Sequence, residues 1–79
     1  MEKQAIKEII AKILGCEIDK VKDESMLISE LMVDSLAIAK IAVEIEDHYD
    51  ITLDEDLLYP FEDISVDAFY NKIKVAMEG

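Results

Sequence analysis

Residues 31–40 read LMVDSLAIAK, an aspartate and a serine set directly before a run in which apolar residues fall on more than one side of a helix. Asp34 and Ser35 are both strong helix N-caps, so a helix is expected to begin at one of them and run to about Tyr49. At 100° per residue, Ile38, Ala42, Ile45 and Tyr49 gather on one side, with Ile41 at its edge, and that side must face a core. Leu36, Ala39 and Val43 gather on roughly the opposite side, beside Glu46, Asp47 and Asp50. They could pack under a neighbouring loop or stand as scattered surface residues. They could also form a docking strip, apolar and edged by acids, for a basic and apolar partner surface.

Upstream, Ile6, Ile9, Ile10, Ile13 and Leu14 make one apolar stripe opposite Lys3, Lys7, Glu8 and Lys12, and Gly15 sits where a helix C-cap belongs. The connection 16–33 is long for a compact domain, so it should pack over the core with short helical turns or serve a function. Downstream, Pro60 breaks the segment 51–64, leaving a short helix around 54–58. Ser65 can cap a last helix whose stripe is Val66, Phe69, Tyr70, Ile73 and Met77. The expected fold is all-α: a small bundle of three longer helices plus one short helix, with a long loop between helices one and two. At 79 residues it is read as a single domain, 1–79.

Charge narrows the function. Eight lysines, no arginine and nineteen acids give a net charge of −11. Residues 23–67 hold fourteen of those acids against Lys40 alone. Such a field repels nucleic acid and anionic lipid and draws in basic protein surfaces, although acids also simply keep small domains dispersed. No apolar run is long enough to span a membrane. The first sixteen residues carry no apolar leader segment and no arginine-rich transit signal, so a cytoplasmic protein is expected. Cys16 has no second cysteine to pair with and no nearby metal-ligand partner, and is read as a small core residue; no metal site is expected. A calcium loop starting at Asp50 fails, because Glu55 stands at the turn glycine and Phe61 at the position of the closing glutamate.

Ser35 is not a hydrolase nucleophile. The single histidine, His48, lies thirteen residues along the same helix, roughly 20 Å away at 1.5 Å per residue. Capping alone would explain a serine there. The position also suits phosphate, since free N–H groups and the positive end of the helix dipole favour a phosphoester on the hydroxyl.

Residues 14–36, LGCEIDKVKDESMLISELMVDSL, resemble the acyl carrier protein family, in which L-G at the end of the first helix leads through a long loop to D-S-L at the start of the second. IEDHYDI, residues 45–51, is similar to the acidic end of that family's second helix. The resemblance implies that Ser35 receives covalent 4′-phosphopantetheine from coenzyme A by a separate phosphopantetheinyl transferase. Asp34 would help place the magnesium used in that transfer. The chain itself would be a non-catalytic carrier that presents acyl groups, held as thioesters, to enzymes of a fatty-acid, lipid or polyketide pathway. It further implies a partner face on the second helix (Leu36, Ala37, Ala39, Lys40, Val43, Glu46, Asp47) for acyl-loading and acyl-processing enzymes with basic docking surfaces. An acyl pocket would be lined by Leu27, Ile38, Ala42, Ile45 and Ile64. A monomer is expected.

Four departures mark a specialised member. Met32 replaces the family's usual glycine two residues before the aspartate, so the loop is expected to avoid glycine-only backbone angles there. Ala37 and Lys40 stand where fatty-acid carriers place acids, and LDEDLLYPFED, residues 53–63, is longer than the family pattern. An aminoacyl or peptidyl carrier is the alternative within the family; outside it, an unmodified acidic adaptor binding a basic helix.

Overall fold

The computed structural model describes residues 2–59 and 61–78. The chain forms α1 (Lys3–Leu14), α2 (Ser35–Tyr49), α3 (Glu55–Leu58) and α4 (Val66–Glu78). Three long helices and one of a single turn are those the apolar spacing predicts, and the described residues contain no strand, only one isolated antiparallel bridge between Met26 and Ser65. The helices end where local chemistry ends them. Gly15 takes the left-handed conformation (φ 70°) while the amides of Gly15 and Cys16 reach back to the carbonyls of Lys12 and Ala11, closing α1. Asp50 does the same for α2 at φ 53°. Ser65 Oγ accepts the amide of Ala68 at 3.1 Å and caps α4.

One core joins the elements. Ile6, Ile10, Ile38, Ile41, Ile45 and Ile73 are all but sealed from water. α1 lies mainly along α2 and also touches α4, while α3 rests on α4. The long connection packs rather than loops out: it makes a 3₁₀ turn at Ile18–Lys20 and buries Val21, Leu27 and Val33 in the same core. Buried Ser25 knots it together. Its hydroxyl accepts the Lys22 amide at 3.1 Å and donates to the Lys20 carbonyl at 3.4 Å, and its own carbonyl accepts the Val66 amide at 2.9 Å.

Two acids tether the connection to the rest of the molecule. Asp23 lies between Lys3 (3.1 Å) and Lys7 (2.5 Å) of α1, and Lys3 also holds Asp67 in the first turn of α4 at 2.6 Å. Hydrogen bonding from Lys7 and then Lys3 lowers the Asp23 pKa below the ordinary carboxylate value. Asp63, before α4, accepts the amides of Ile28 and Ser29 through one oxygen at 2.9 and 3.2 Å.

Met32 corrects the expectation drawn from its sequence. The backbone there is left-handed (φ 58°), the conformation glycine would take, and a methionine takes it instead. The reason lies on either side. The turn 26–32 is helical in character, with the amides of Glu30 and Met32 bonded to the carbonyls of Met26 and Ile28, and Val33 must reverse direction to bond Leu27 O at 2.8 Å and bury its side chain. The left-handed residue between them satisfies both, and the Met32 side chain, 81% exposed, has no packing to lose.

This strain predicts an order of stability. A side chain in the left-handed region costs about 1 kcal/mol, more for a β-branched residue. Met32→Gly should therefore raise the melting temperature by about 4–8 °C and Met32→Val should lower it. Urea unfolding with an unchanged m-value checks both, and equal midpoints for the three proteins would show that the turn is not strained.

The Asp63 tether predicts a pH dependence. The Ile28 amide, with lesser help from the Ser29 hydroxyl and amide, lowers the Asp63 pKa. A lowered carboxylate pKa contributes stability that is present above the unfolded value, about 3.9, and lost as pH falls through the folded value. The Ile28 amide proton should report this directly, titrating with a midpoint below about 3.9 in wild type and losing that step in Asp63→Asn.

Candidate functional site

The start of α2 is built so that the serine is not needed to hold it. Asp34 is extended (φ −104°, ψ −178°), its Oδ1 accepts the Ala37 amide at 2.7 Å, and its carbonyl accepts the Ile38 amide at 2.9 Å. Asp34 is thus the N-cap and Ser35 the first helical residue. The Ser35 hydroxyl is exposed and has no hydrogen-bond partner among the described residues. With the Ala37 amide taken, the amides of Ser35 and Leu36 remain unpaired among those residues, at the positive end of a fifteen-residue helix. The result is a free hydroxyl in an anion-favouring field, and 4′-phosphopantetheine, joined through a phosphodiester, fits those features.

The one histidine lies at the opposite end of α2 from Ser35. His48 is exposed in the last turn of α2, edge-on to Tyr49 with ring centres 4.7 Å apart. No group of three or more His, Cys, Asp or Glu residues among the described residues could hold a metal ion.

Leu36 (63% exposed), Lys40, Val43 (53% exposed) and Asp47 form a single outward row along α2. Ala39 lies half-buried beside it, and together with Ile13 and Val43 lines a shallow apolar groove rimmed by Lys40 and Glu44. Lys12 pairs with Glu44 at 3.3 Å across that rim. Two of the sequence candidates sit apart from the row. Ala37 is half-buried and packs on the core, while Glu46 turns its carboxylate to the Leu53 amide at 2.8 Å, where it holds the chain leaving α2.

The five candidates for an acyl pocket divide likewise. Leu27, Ala42 and Ile45 are wholly within the packed core. Ile38 and Ile64 meet Leu57, Leu58, Phe61 and Phe69 around a closed seam between α2, α3 and α4, with Glu62 and Lys72 also lining it. The space there is about 10 Å³, at or below what a single water needs. Sequence reasoning missed Leu57, Leu58 and Phe61, although three large apolar residues inside an otherwise acidic segment are themselves the signal. It also missed Tyr59, whose hydroxyl reaches the Ser35 carbonyl at 3.5 Å.

Residues 4–73 match the family described as phosphopantetheine attachment site. The acyl carrier protein of Buchnera aphidicola is 31% identical over 71 residues, covering 87% of this chain and 90% of that protein. That of Bdellovibrio bacteriovorus is 40% identical over 52 residues, 65% of this chain and 67% of the relative. The non-reducing polyketide synthase dbaI of Emericella nidulans is 38% identical over 76 residues, 96% of this chain but only 3% of the synthase. No helix among the described residues is long and apolar enough to cross a membrane. A phosphopantetheine-attachment match along most of the chain, on a small helical bundle with a free serine at the start of α2, has one meaning: the chain belongs to the acyl carrier protein family, whose cofactor is 4′-phosphopantetheine.

Proposed function

We propose that Ser35 is the residue that carries 4′-phosphopantetheine, transferred from coenzyme A by a separate phosphopantetheinyl transferase in the cytoplasm. The observation that carries this reading is the division of labour at α2: Asp34 caps the helix at 2.7 Å and leaves the Ser35 hydroxyl exposed and unbonded. When bound, the group supplies a terminal thiol that holds an acyl chain as a thioester. The protein's own part is to fix the arm's root in a field that favours its phosphodiester and to present it beside a recognisable surface. Asp34 has a second carboxylate oxygen free to face the cation that accompanies coenzyme A during loading.

The surface is the α2 row of Leu36, Lys40, Val43 and Asp47 with Ala39 beside it, and it suits acyl-loading and acyl-processing enzymes whose docking surfaces are apolar and basic. Ala37 and Lys40 stand two and five residues after Ser35, where fatty-acid carriers place acids, which supports service in a dedicated fatty-acid, lipid or polyketide pathway. The protein acts as a monomeric carrier whose acyl group, when sheltered, enters at the seam beside Ile38 and Ile64.

Loading separates the two neighbours at α2. With coenzyme A, magnesium and a broad-specificity transferase, intact mass should rise by one phosphopantetheine. Ser35→Ala should abolish the gain while leaving the melting temperature nearly unchanged, because it removes no cap. Asp34→Ala should cost about 1 kcal/mol of stability as well as slowing loading. A wild type left unmodified by several transferases would favour an acidic adaptor instead.

Partner choice gives a second test. The holo protein should be a poor substrate for a general fatty-acid ketosynthase, and Ala37→Asp with Lys40→Glu should improve it through faster association at low salt. Exposed charge pairs are worth about 1 kcal/mol or less each, so the pair should gain up to about tenfold. Most of the gain should come from Lys40, which lies in the exposed row, with little from half-buried Ala37. No gain in the double variant would remove the support for a dedicated pathway.

A further inference from the structure

The segment 53–63 is longer than the carrier pattern it resembles, and the structure places its tyrosine against the start of α2. Tyr59 ends α3 in extended backbone (φ −127°, ψ 145°). Its side chain, 39% exposed, crosses back to Ser35. There the phenol donates to the Ser35 carbonyl at 3.5 Å, a distance at which a neutral hydrogen bond contributes little. A donor held in position but poorly satisfied is ready for a better acceptor, and the residue it touches is the one with the free hydroxyl at the positive helix end. A phosphodiester on that hydroxyl brings charged oxygens to the same residue, and hydrogen bonds to a charged oxygen are shorter and roughly twice as strong as those to a neutral one.

We propose that Tyr59 is a positioning residue for the arm: its hydroxyl bonds the phosphodiester on Ser35 and fixes the direction in which the arm leaves α2. The reading rests on Ser35 as the attachment point. No other described side-chain donor is hydrogen-bonded to Ser35. The direction matters because Leu57, Leu58 and Phe61, which flank Tyr59 in the chain, line the seam that also includes Ile38, three residues on from Ser35. A phosphate held by Tyr59 roots the arm on the side of the seam. One held only by helix amides leaves it free to swing over the outward row of Leu36 and Lys40.

The test uses the loaded protein and two readouts that do not depend on downstream activity. Wild type, Tyr59→Phe and Tyr59→Leu are each loaded from coenzyme A, with intact mass confirming one phosphopantetheine per chain. Phosphorus NMR then compares each with a short phosphopantetheinylated serine peptide. In wild type the phosphorus resonance should be displaced from that of the peptide and relax with the tumbling of the whole protein. In Tyr59→Phe, which keeps the ring, and Tyr59→Leu, which does not, both properties should move toward the peptide. Loading should also shift the ring resonances of Tyr59 and leave those of Tyr49 and Tyr70 in place. If mass shows loading but the three phosphorus spectra coincide, the inference is overturned and Ser35 stands. If wild type does not load at all, the attachment reading fails and takes this inference with it. A Tyr59→Leu spectrum like wild type, with only Tyr59→Phe altered, would also overturn the role of the hydroxyl.

Discussion

The 2.7 Å hydrogen bond from the Ala37 amide to Asp34 Oδ1 decides what Ser35 is free to do. Serine is a good cap in its own right, and a serine that caps has its oxygen turned into the helix end and occupied. The aspartate one residue earlier takes that duty through one carboxylate oxygen, and the serine becomes the first helical residue with its hydroxyl exposed. The register of this one bond depends in turn on the loop before it. Buried Val33 fixes where the chain enters, the left-handed Met32 turns it, and Asp63 holds the Ile28 and Ser29 amides against the approach to α4.

The acidic composition has two separable jobs once the contacts are known. Asp23, Asp67, Glu46 and Asp63 are spent on structure: the first two on α1 lysines, the last two on backbone amides. Glu46 and Asp63 thereby satisfy backbone amides for which an irregular connection has no ladder partner. Asp34 belongs with them. The side chains of Asp47 and of the run Asp54, Glu55, Asp56 are exposed and make no hydrogen bond or ion pair among the described residues. It is this remainder that projects a field: Asp47 lies in the outward row of α2, and the other three lie at α3, which rests on α4. Lys3 and Lys7 are already paired with Asp23 and Asp67, so they do little to offset it.

Helix existence and order were legible because the apolar spacing on α1, α2 and α4 leaves no competing period, and Gly15, Asp34 and Ser65 are punctuation with known chemistry. The outward apolar row was legible for the same reason: Leu36 and Val43 fall opposite the stripe that must be buried. What could not be read was long-range. Nothing local says that Glu46 will turn forward to Leu53, that Asp63 will clamp amides thirty-five and thirty-four residues earlier, or that Tyr59 will reach Ser35. The left-handed Met32 was hidden differently. Propensity argues against it residue by residue, but the two buried neighbours and their hydrogen bonds together outweigh roughly 1 kcal/mol of local strain.

Those same long-range contacts make one side of the bundle softer than the others. α1 is tied to the loop and to α4 by lysines, and α2 lies against α1 through isoleucines. α3 has neither. It is four residues long, far below the length at which a helix holds itself, its N-cap Asp54 makes no side-chain bond, and three acids in succession repel one another along it. Leu57 and Leu58 are only half-buried, so lifting them exposes less apolar area than displacing any isoleucine of the core, at about 25 cal/mol per Å². The seam between α2, α3 and α4 is closed at rest, yet it is where the least free energy is lost by parting the helices. Under the proposed carrier function, an acyl chain entering there would recover about 0.8 kcal/mol for each methylene it buries, so a few methylenes would offset the movement of a single-turn helix. Opening at α3 leaves the cap at Asp34 in place, so the backbone at the start of α2 keeps its geometry, while Tyr59, which ends α3 and reaches the Ser35 carbonyl, moves with the wall.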